Sequence, residues 1–201
     1  MKEGGGLEIP LFPLQTVLFP GGPLPLRIFE PRYVDMISRC MKAGTGFGVV
    51  LIREGDETGE ALTWELGTLA AIVDWDQLRD GTLGIIVQGG SRFLIRSIRR
   101  QDDGLNIGCV DLLELEASVP LPERFRDLAR LLEGVFGELG PHYRHVRPDF
   151  ADAGWVGFRL AELLPIGLEQ KQRCLELFDP IARLEFIEPL LQGLGRQAPE
   201  D

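Results

Sequence analysis

Apolar residues recur at two different periods along this 201-residue chain. From Gly6 to Glu116 they come in short runs: LEIPLF, PLRIF, GFGVVLI, GTLAAIVDW, LGIIVQG, RFLIRSI and LNIGCVDLL. Glycine, proline and acidic turn residues divide them, which predicts one strand per run. GIIVQG and GVVLI read as strands buried on both faces, whereas RFLIRSI comes closer to alternation, with one wet face. One helix interrupts the strands. Tyr33, Met36, Ile37, Cys40 and Met41 follow Pro31 at helical spacing, with Arg32, Asp35, Arg39 and Lys42 on the other face, and Gly44 closes the pattern.

From Pro120 onward the period is that of helices. Phe125, Leu128, Ala129, Leu132, Val135, Phe136 and Leu139 form one apolar stripe ending near Gly140-Pro141. A polar loop with His142, His145 and Pro148 follows. A second helix is expected from about Asp152 to before Pro165, burying Trp155, Phe158 and Leu163, and a short third from about Leu168 to Phe178. Asp179-Pro180 then pairs an N-cap with proline at the first helical position. Ile181, Leu184, Ile187, Leu190, Leu191 and Leu194 continue this last helix, which Pro189 is expected to kink or divide. The tail RQAPED is expected to fray. Strands gathered in one half and helices in the other predict an α+β architecture, with a β-rich subdomain over 1–116 and a helical one over 117–201.

Composition narrows the function class. Hydrophobic residues are 44% and charged ones 26%, which suits a packed core, and 31 acidic against 21 basic side chains leave a formal charge of −10. That balance argues against nucleic-acid binding as the main role. Cys40, Cys109 and Cys174 are odd in number and far apart, so they read as buried thiols in a reducing compartment rather than a disulfide framework. The start MKEGGGLEIP lacks a signal-peptide core, and no run of about 20 apolar residues exists. A cytoplasmic protein with no membrane partner is the expectation.

LFPGGPLPLRIFEPRY, residues 18–33, is rich in proline yet carries Leu18, Phe19, Leu24, Leu26, Ile28, Phe29 and Tyr33, which a disordered tail could not bury. Its prolines fit edge and turn positions: Pro20-Gly21-Gly22 a turn, Pro25 a strand start, Pro31 a helix start. The order IPLFPL, VLFPG, LPL, IFEPRY over residues 9–33 resembles the start of the Lon protease N-terminal (substrate-binding) domain family. FGVV from Phe47, ELGTLA from Glu65 and GIIVQGGSRF from Gly84 continue the match. So do LAELLP from Leu160, EQKQ from Glu169 and LELFDP from Leu175, which carries the resemblance over roughly residues 7–195. It implies a PUA-like β pseudo-barrel with one inserted helix, followed by a C-terminal helical bundle.

Full Lon proteases add an ATPase module and a Ser-Lys protease domain. No G-x-x-x-x-G-K-[ST] loop is present here; Gly44-x-Gly46-x-Gly48 lacks the lysine and joins helix to strand in the wrong order for a phosphate cradle. None of Ser38, Ser91, Ser97 and Ser118 lies in a nucleophile elbow. His142 and His145 are spaced i, i+3 in a loop with no cysteine nearby, a poor match for zinc. Arg92, Arg96, Arg99 and Arg100 crowd one strand and could form an RNA strip, since the PUA-like fold also occurs in RNA-binding proteins, or could pair with acids on a wet sheet face. No catalytic residue, cofactor or metal is expected.

The resemblance implies a non-catalytic module that binds unfolded or partner polypeptide segments in an apolar-walled groove. Glu30, Arg32 and Tyr33 are its candidate rim. The competing structural reading puts Tyr33 on the core face of its helix and Glu30 at that helix's N-terminus. A scaffold docking on one dedicated protein partner is the alternative function.

Overall fold

The computed structural model describes residues 6–57 and 61–195. They form a mixed α/β chain with a large, mainly antiparallel sheet and five α-helices. The chain divides into two compact units, one up to Leu115 and one from Glu116.

The first unit runs β1 (Leu7–Leu14), β2 (Pro23–Ile28), α1 (Pro31–Ala43), β3 (Phe47–Gly55), β4 (Ala61–Thr63), β5 (Leu66–Gln77), β6 (Leu83–Arg100) and β7 (Asn106–Leu112). Strand order is β1-β7-β6-β5-β3-β4, with β2 paired to β6. A parallel pairing of β1 with β3, Leu11 opposite Gly48 through Leu14 opposite Leu51, closes five of the strands into a ring. On one face of these strands α1 lays Tyr33, Met36, Ile37 and Cys40 against Phe12, Phe47, Val49 and Val87, while the alternate residues Leu11, Val50, Phe93 and Val110 form a separate core on the other. Gly44 at φ 63° ends the helix, and its N–H together with that of Thr45 takes up the last carbonyls.

Two predicted strands, LGIIVQG and RFLIRSI, are one 18-residue strand, β6. Gly89-Gly90-Ser91 reads as a turn in sequence, but the glycine serves a crossing. A Cβ at Gly89 would lie 2.1 Å from the Phe19 carbonyl oxygen, beside which Pro20 bridges to Gly89. Of the two runs expected to be buried on both faces, Phe47–Ile52 is so, while GIIVQG alternates, with Ile85 and Val87 buried and Ile86 half-exposed. The three-residue β4 had no counterpart in the sequence reading. On α1, Met41 is exposed rather than buried with its face.

The second unit holds α2 (Arg126–Phe136) after a single 3₁₀ turn, then α3 (Ala153–Leu163), α4 (Leu168–Glu176) and α5 (Pro180–Gly195). α2 stops at Phe136, short of the expected end, and Val135 is exposed. The His142–His145 loop is a 3₁₀ helix, Pro141–His145. Asp152 caps α3, its carboxylate accepting the Trp155 N–H at 2.7 Å, and Asp179 caps α5 through the Ile181 N–H at 2.9 Å. α3 buries Phe158 but leaves Trp155 and Leu163 half-buried. α5 passes through Pro189 as one helix. The tail RQAPED lies outside the described residues. Buried charge replaces apolar packing at two places here. Arg183 lies over the Phe158 ring at 3.6 Å, pairs with Glu116 and donates to the carbonyls of Cys174 and Leu177. Arg159 pairs with Glu162, which also accepts from the Tyr143 hydroxyl, while Lys171 Nζ donates to the Glu162 carbonyl.

Candidate functional site: an apolar groove beside β2

Residues 18–33 fold as a buttress. Leu18 and Phe19 are buried. The turn that follows has Gly21 at φ 72°, and its N–H donates to the Gly89 carbonyl at 2.7 Å. β2 then pairs with β6 from Pro23 opposite Gln88 to Ile28 opposite Leu83. Among the described residues β2 has no strand on its other side, so Pro23 and Pro25 can turn their missing N–H groups to the unpaired edge at no cost in ladder bonds.

The three sequence-predicted rim residues have different fates. Tyr33 is 4% exposed and stacks on Phe12 with ring centroids 4.0 Å apart. Burial pushes its phenol up, against the opposing pull of Arg32. Arg32 is a clamp: it donates to the Gly104 carbonyl at 3.0 Å and the Glu57 carbonyl at 3.3 Å, and pairs with Glu30 at 2.8 Å. Glu30 stands at the N-cap of α1 without a capping side-chain bond; Arg32 holds its carboxylate instead. A cleft of about 290 Å³ opens beside these residues, lined by Glu30 and Tyr33 with Phe12, Leu24 and Phe29, while Arg32 stays out of its lining.

A second, more apolar groove of about 370 Å³ borders the same strand, sharing Pro25, Leu26 and Arg27 with the cleft. Sheet register assembles it. Pro25 faces Ile86, which faces Asp74; Arg27 faces Gly84, which faces Asp76. Gly84 leaves the second row open, and Leu78 borders the gap, 3.0 Å from where a Cβ at Gly84 would stand. The β5–β6 turn is braced: Arg27 Nε donates to Thr82 Oγ1 at 3.1 Å, its guanidinium pairs with Asp80, and the Leu78 N–H donates to the Thr82 carbonyl at 2.9 Å. Trp75, also in the lining, is 60% exposed. Sequence reading missed Trp75, Leu78 and Gly84. The available signal was an aromatic between two acids at a strand end, Asp74-Trp75-Asp76.

The other candidate chemistries find partners elsewhere. Arg96 pairs with Asp111 and Arg99 with Glu8, and Arg92 is 3% exposed, so the arginine strip is built into the sheet and its salt pairs. Ser118 donates to Asp152 at 2.8 Å. Cys40 and Cys174 are buried and Cys109 half-buried, all as free thiols. Among the described residues no group of three or more His, Cys, Asp or Glu could hold a metal ion, and no helix is long and apolar enough to cross a membrane.

Comparison with known proteins gives these features a family. A crystal structure of a Lon N-terminal domain protein from Xanthomonas campestris is 36% identical, covering 89% of this chain and 95% of that one at a TM-score of 0.75. The N-terminal domain of a Mycobacterium avium complex Lon protease shares the fold at a TM-score of 0.61, with 15% identity over 90% of this chain and 96% of that one. The Lon protease of Anaeromyxobacter dehalogenans is 26% identical over 94% of this chain, which spans only about a quarter (24%) of that protein's length. A family model described as the ATP-dependent protease La (LON) substrate-binding domain matches residues 8–193, and the chain belongs to that family.

Proposed function

We propose that this chain is a non-catalytic polypeptide-recognition module that takes up apolar segments of unfolded or partner proteins without nucleotide. The observation that carries this reading is the groove at Pro25, Leu78, Gly84 and Ile86, with Trp75 standing exposed at its side. Apolar walls with a few fixed polar groups suit a chain segment rather than a small polar substrate, and the prolines of β2 make one wall stiff before binding. The match is confined to the substrate-binding part of the Lon relatives, which supports recognition without chemistry. The ring of strand pairings supports the PUA-like pseudo-barrel, the four helices after Glu116 support the helical bundle, and three unpaired thiols support a cytoplasmic setting.

The test is fluorescence anisotropy with a labelled, permanently unfolded protein and no nucleotide. Saturable micromolar binding is expected, competed by unlabelled unfolded chains and not by folded ones. Gly84→Val puts a branched side chain into the gap that Leu78 borders, its Cβ about 3.0 Å from that leucine, and is expected to weaken binding at least tenfold. A flat titration refutes client recognition; one dominant stoichiometric partner captured in its place points to the scaffold function. Unchanged affinity after Glu30→Ala and Arg32→Ala, measured on folded protein, removes those two from the site.

A further inference from the structure

The outer edge of β2 is rich in acceptors and poor in donors. Pro23 and Pro25 carry no N–H, so their pairings with Gln88 and Ile86 cannot be of the type in which two residues exchange both bonds. Leu24 and Leu26 therefore exchange bonds with Val87 and Ile85, and the backbone groups of Pro23, Pro25 and Arg27 point away from β6. The Gly89 N–H, which donates to the Gly22 carbonyl at 2.9 Å, continues the same alternation. Pro25 and Arg27 are exposed. Their outward groups are the two carbonyls and the Arg27 N–H, and among the described residues no strand or turn is bonded to them. The contacts of Arg27 to Asp80 and Thr82 are made by its guanidinium and leave its backbone out.

The cleft of about 290 Å³ runs along this edge. Consecutive residues from Leu24 to Ile28 line it and no residue of β6 does, which places the hollow beside the strand rather than over one face. Leu14, Gln15 and Thr16 form the far bank. At about 3.3 Å per residue the near bank is about 13 Å long, enough for about four extended residues. A second copy of β2 fits it poorly, because its own prolines would bring carbonyls and few donors; the prolines guard the edge against self-pairing. An ordinary extended segment fits, since each of its residues brings the N–H whose partial charge complements the waiting carbonyls.

Resting on the recognition function above, we infer that an extended polypeptide segment docks along β2 and donates two backbone N–H groups, two residues apart, to the Pro25 and Arg27 carbonyls. One of its own carbonyls accepts the Arg27 N–H. This is strand addition to a half-equipped edge. Alternate side chains of the segment turn toward Leu24, Leu26 and Phe12. Proline at either donating position is rejected, because it brings no N–H.

A short serine-rich peptide with one Leu-x-Leu pair to pin its register tests this by anisotropy, its backbone amides replaced one at a time by esters. Two positions, two residues apart, should each lose affinity about threefold to tenfold, the net worth of one hydrogen bond, and the others should keep it. In the parent complex, hydrogen exchange followed by NMR should slow at the Arg27 amide by about tenfold or more, and less at Leu24 and Leu26, which β6 already protects. A flat ester scan, or losses at neighbouring positions alike, overturns the edge site and leaves recognition by the other groove standing. So does Arg27 exchange that saturating peptide leaves unaltered. Absence of binding by the parent peptide overturns recognition and the edge site together.

Discussion

Arg32 decides between two accounts of the segment that first marks this family, and its removal should cost stability before it costs binding. Its side chain is 11% exposed and its guanidinium reaches three acceptors: the Gly104 carbonyl, the Glu57 carbonyl and the Glu30 carboxylate. These tie the start of α1 to the β6–β7 turn and to the end of β3. A hydrogen bond from a charged donor is worth about 1.5–3 kcal/mol when its acceptor is shielded, as at Gly104. The exposed Glu57 contact at 3.3 Å adds a few tenths, and the partly exposed pair with Glu30 about 0.5–1 kcal/mol. Arg32→Ala should therefore destabilise the first unit by about 3 kcal/mol, which for a unit of this size lowers Tm by about 10 °C. Arg32→Lys keeps a charge near Glu30 but loses the fork that spans two carbonyls, and should recover less than half. Urea unfolding followed by the fluorescence of Trp64 and Trp75 reads the first unit. An Arg32→Ala midpoint within error of the unaltered protein, together with a tenfold loss of peptide affinity, would refute the clamp and return Arg32 to the binding rim.

Arg183→Ala should unfold the second unit more severely, by about 3–5 kcal/mol, because Glu116 is then left buried without its partner; Trp155 fluorescence reads it, and a loss under 1 kcal/mol would show the network to be dispensable. Tyr33 gives a pH test. Burial holds its phenol above the ordinary value near 10, so the folded chain keeps a proton that the unfolded chain gives up. Below pH 10 this changes nothing; above it, stability falls as pH rises, and Tyr33→Phe should show a shallower decline between pH 10 and 11.5, whereas parallel curves would contradict the burial argument. Burial also pushes the Cys174 thiol up to about 11 and raises that of Cys40. At pH 8 a disulfide reagent should thus consume Cys109 first and the other two only after denaturation; prompt loss of all three thiols would contradict it.

Local chemistry made α1 and the helix starts readable. Pro31 and Gly44 bracket a helix whose Tyr33, Met36, Ile37 and Cys40 share one face, and each is buried. Asp152 and Asp179 cap as short polar residues before apolar runs do. What failed was decided by distant neighbours. Gly89 looks like punctuation, yet its missing Cβ makes room for a carbonyl from seventy residues earlier, and β6 runs on through it. Glu116 and Arg183 resemble surface charges in any local window; only the packing of Arg183 against Phe158 puts the guanidinium inside.

The groove shows why one wall of a site can be legible and the other not. Its β2 wall was readable because Pro25, Leu26 and Arg27 lie in a run whose apolar residues demand burial and whose prolines demand an edge. The opposite wall depends on register alone. Asp74 and Asp76 face Ile86 and Gly84 only because β5 and β6 pair as they do, with register shifts between Thr68 and Ala70 and between Ile72 and Asp74. Sliding β5 by one residue would turn Trp75 to the side that Asp74 and Asp76 now occupy and would put the carboxylates on the other face. This wall of the groove is thus a consequence of those irregularities, and removing one of them would reshape the groove without changing a residue in the lining.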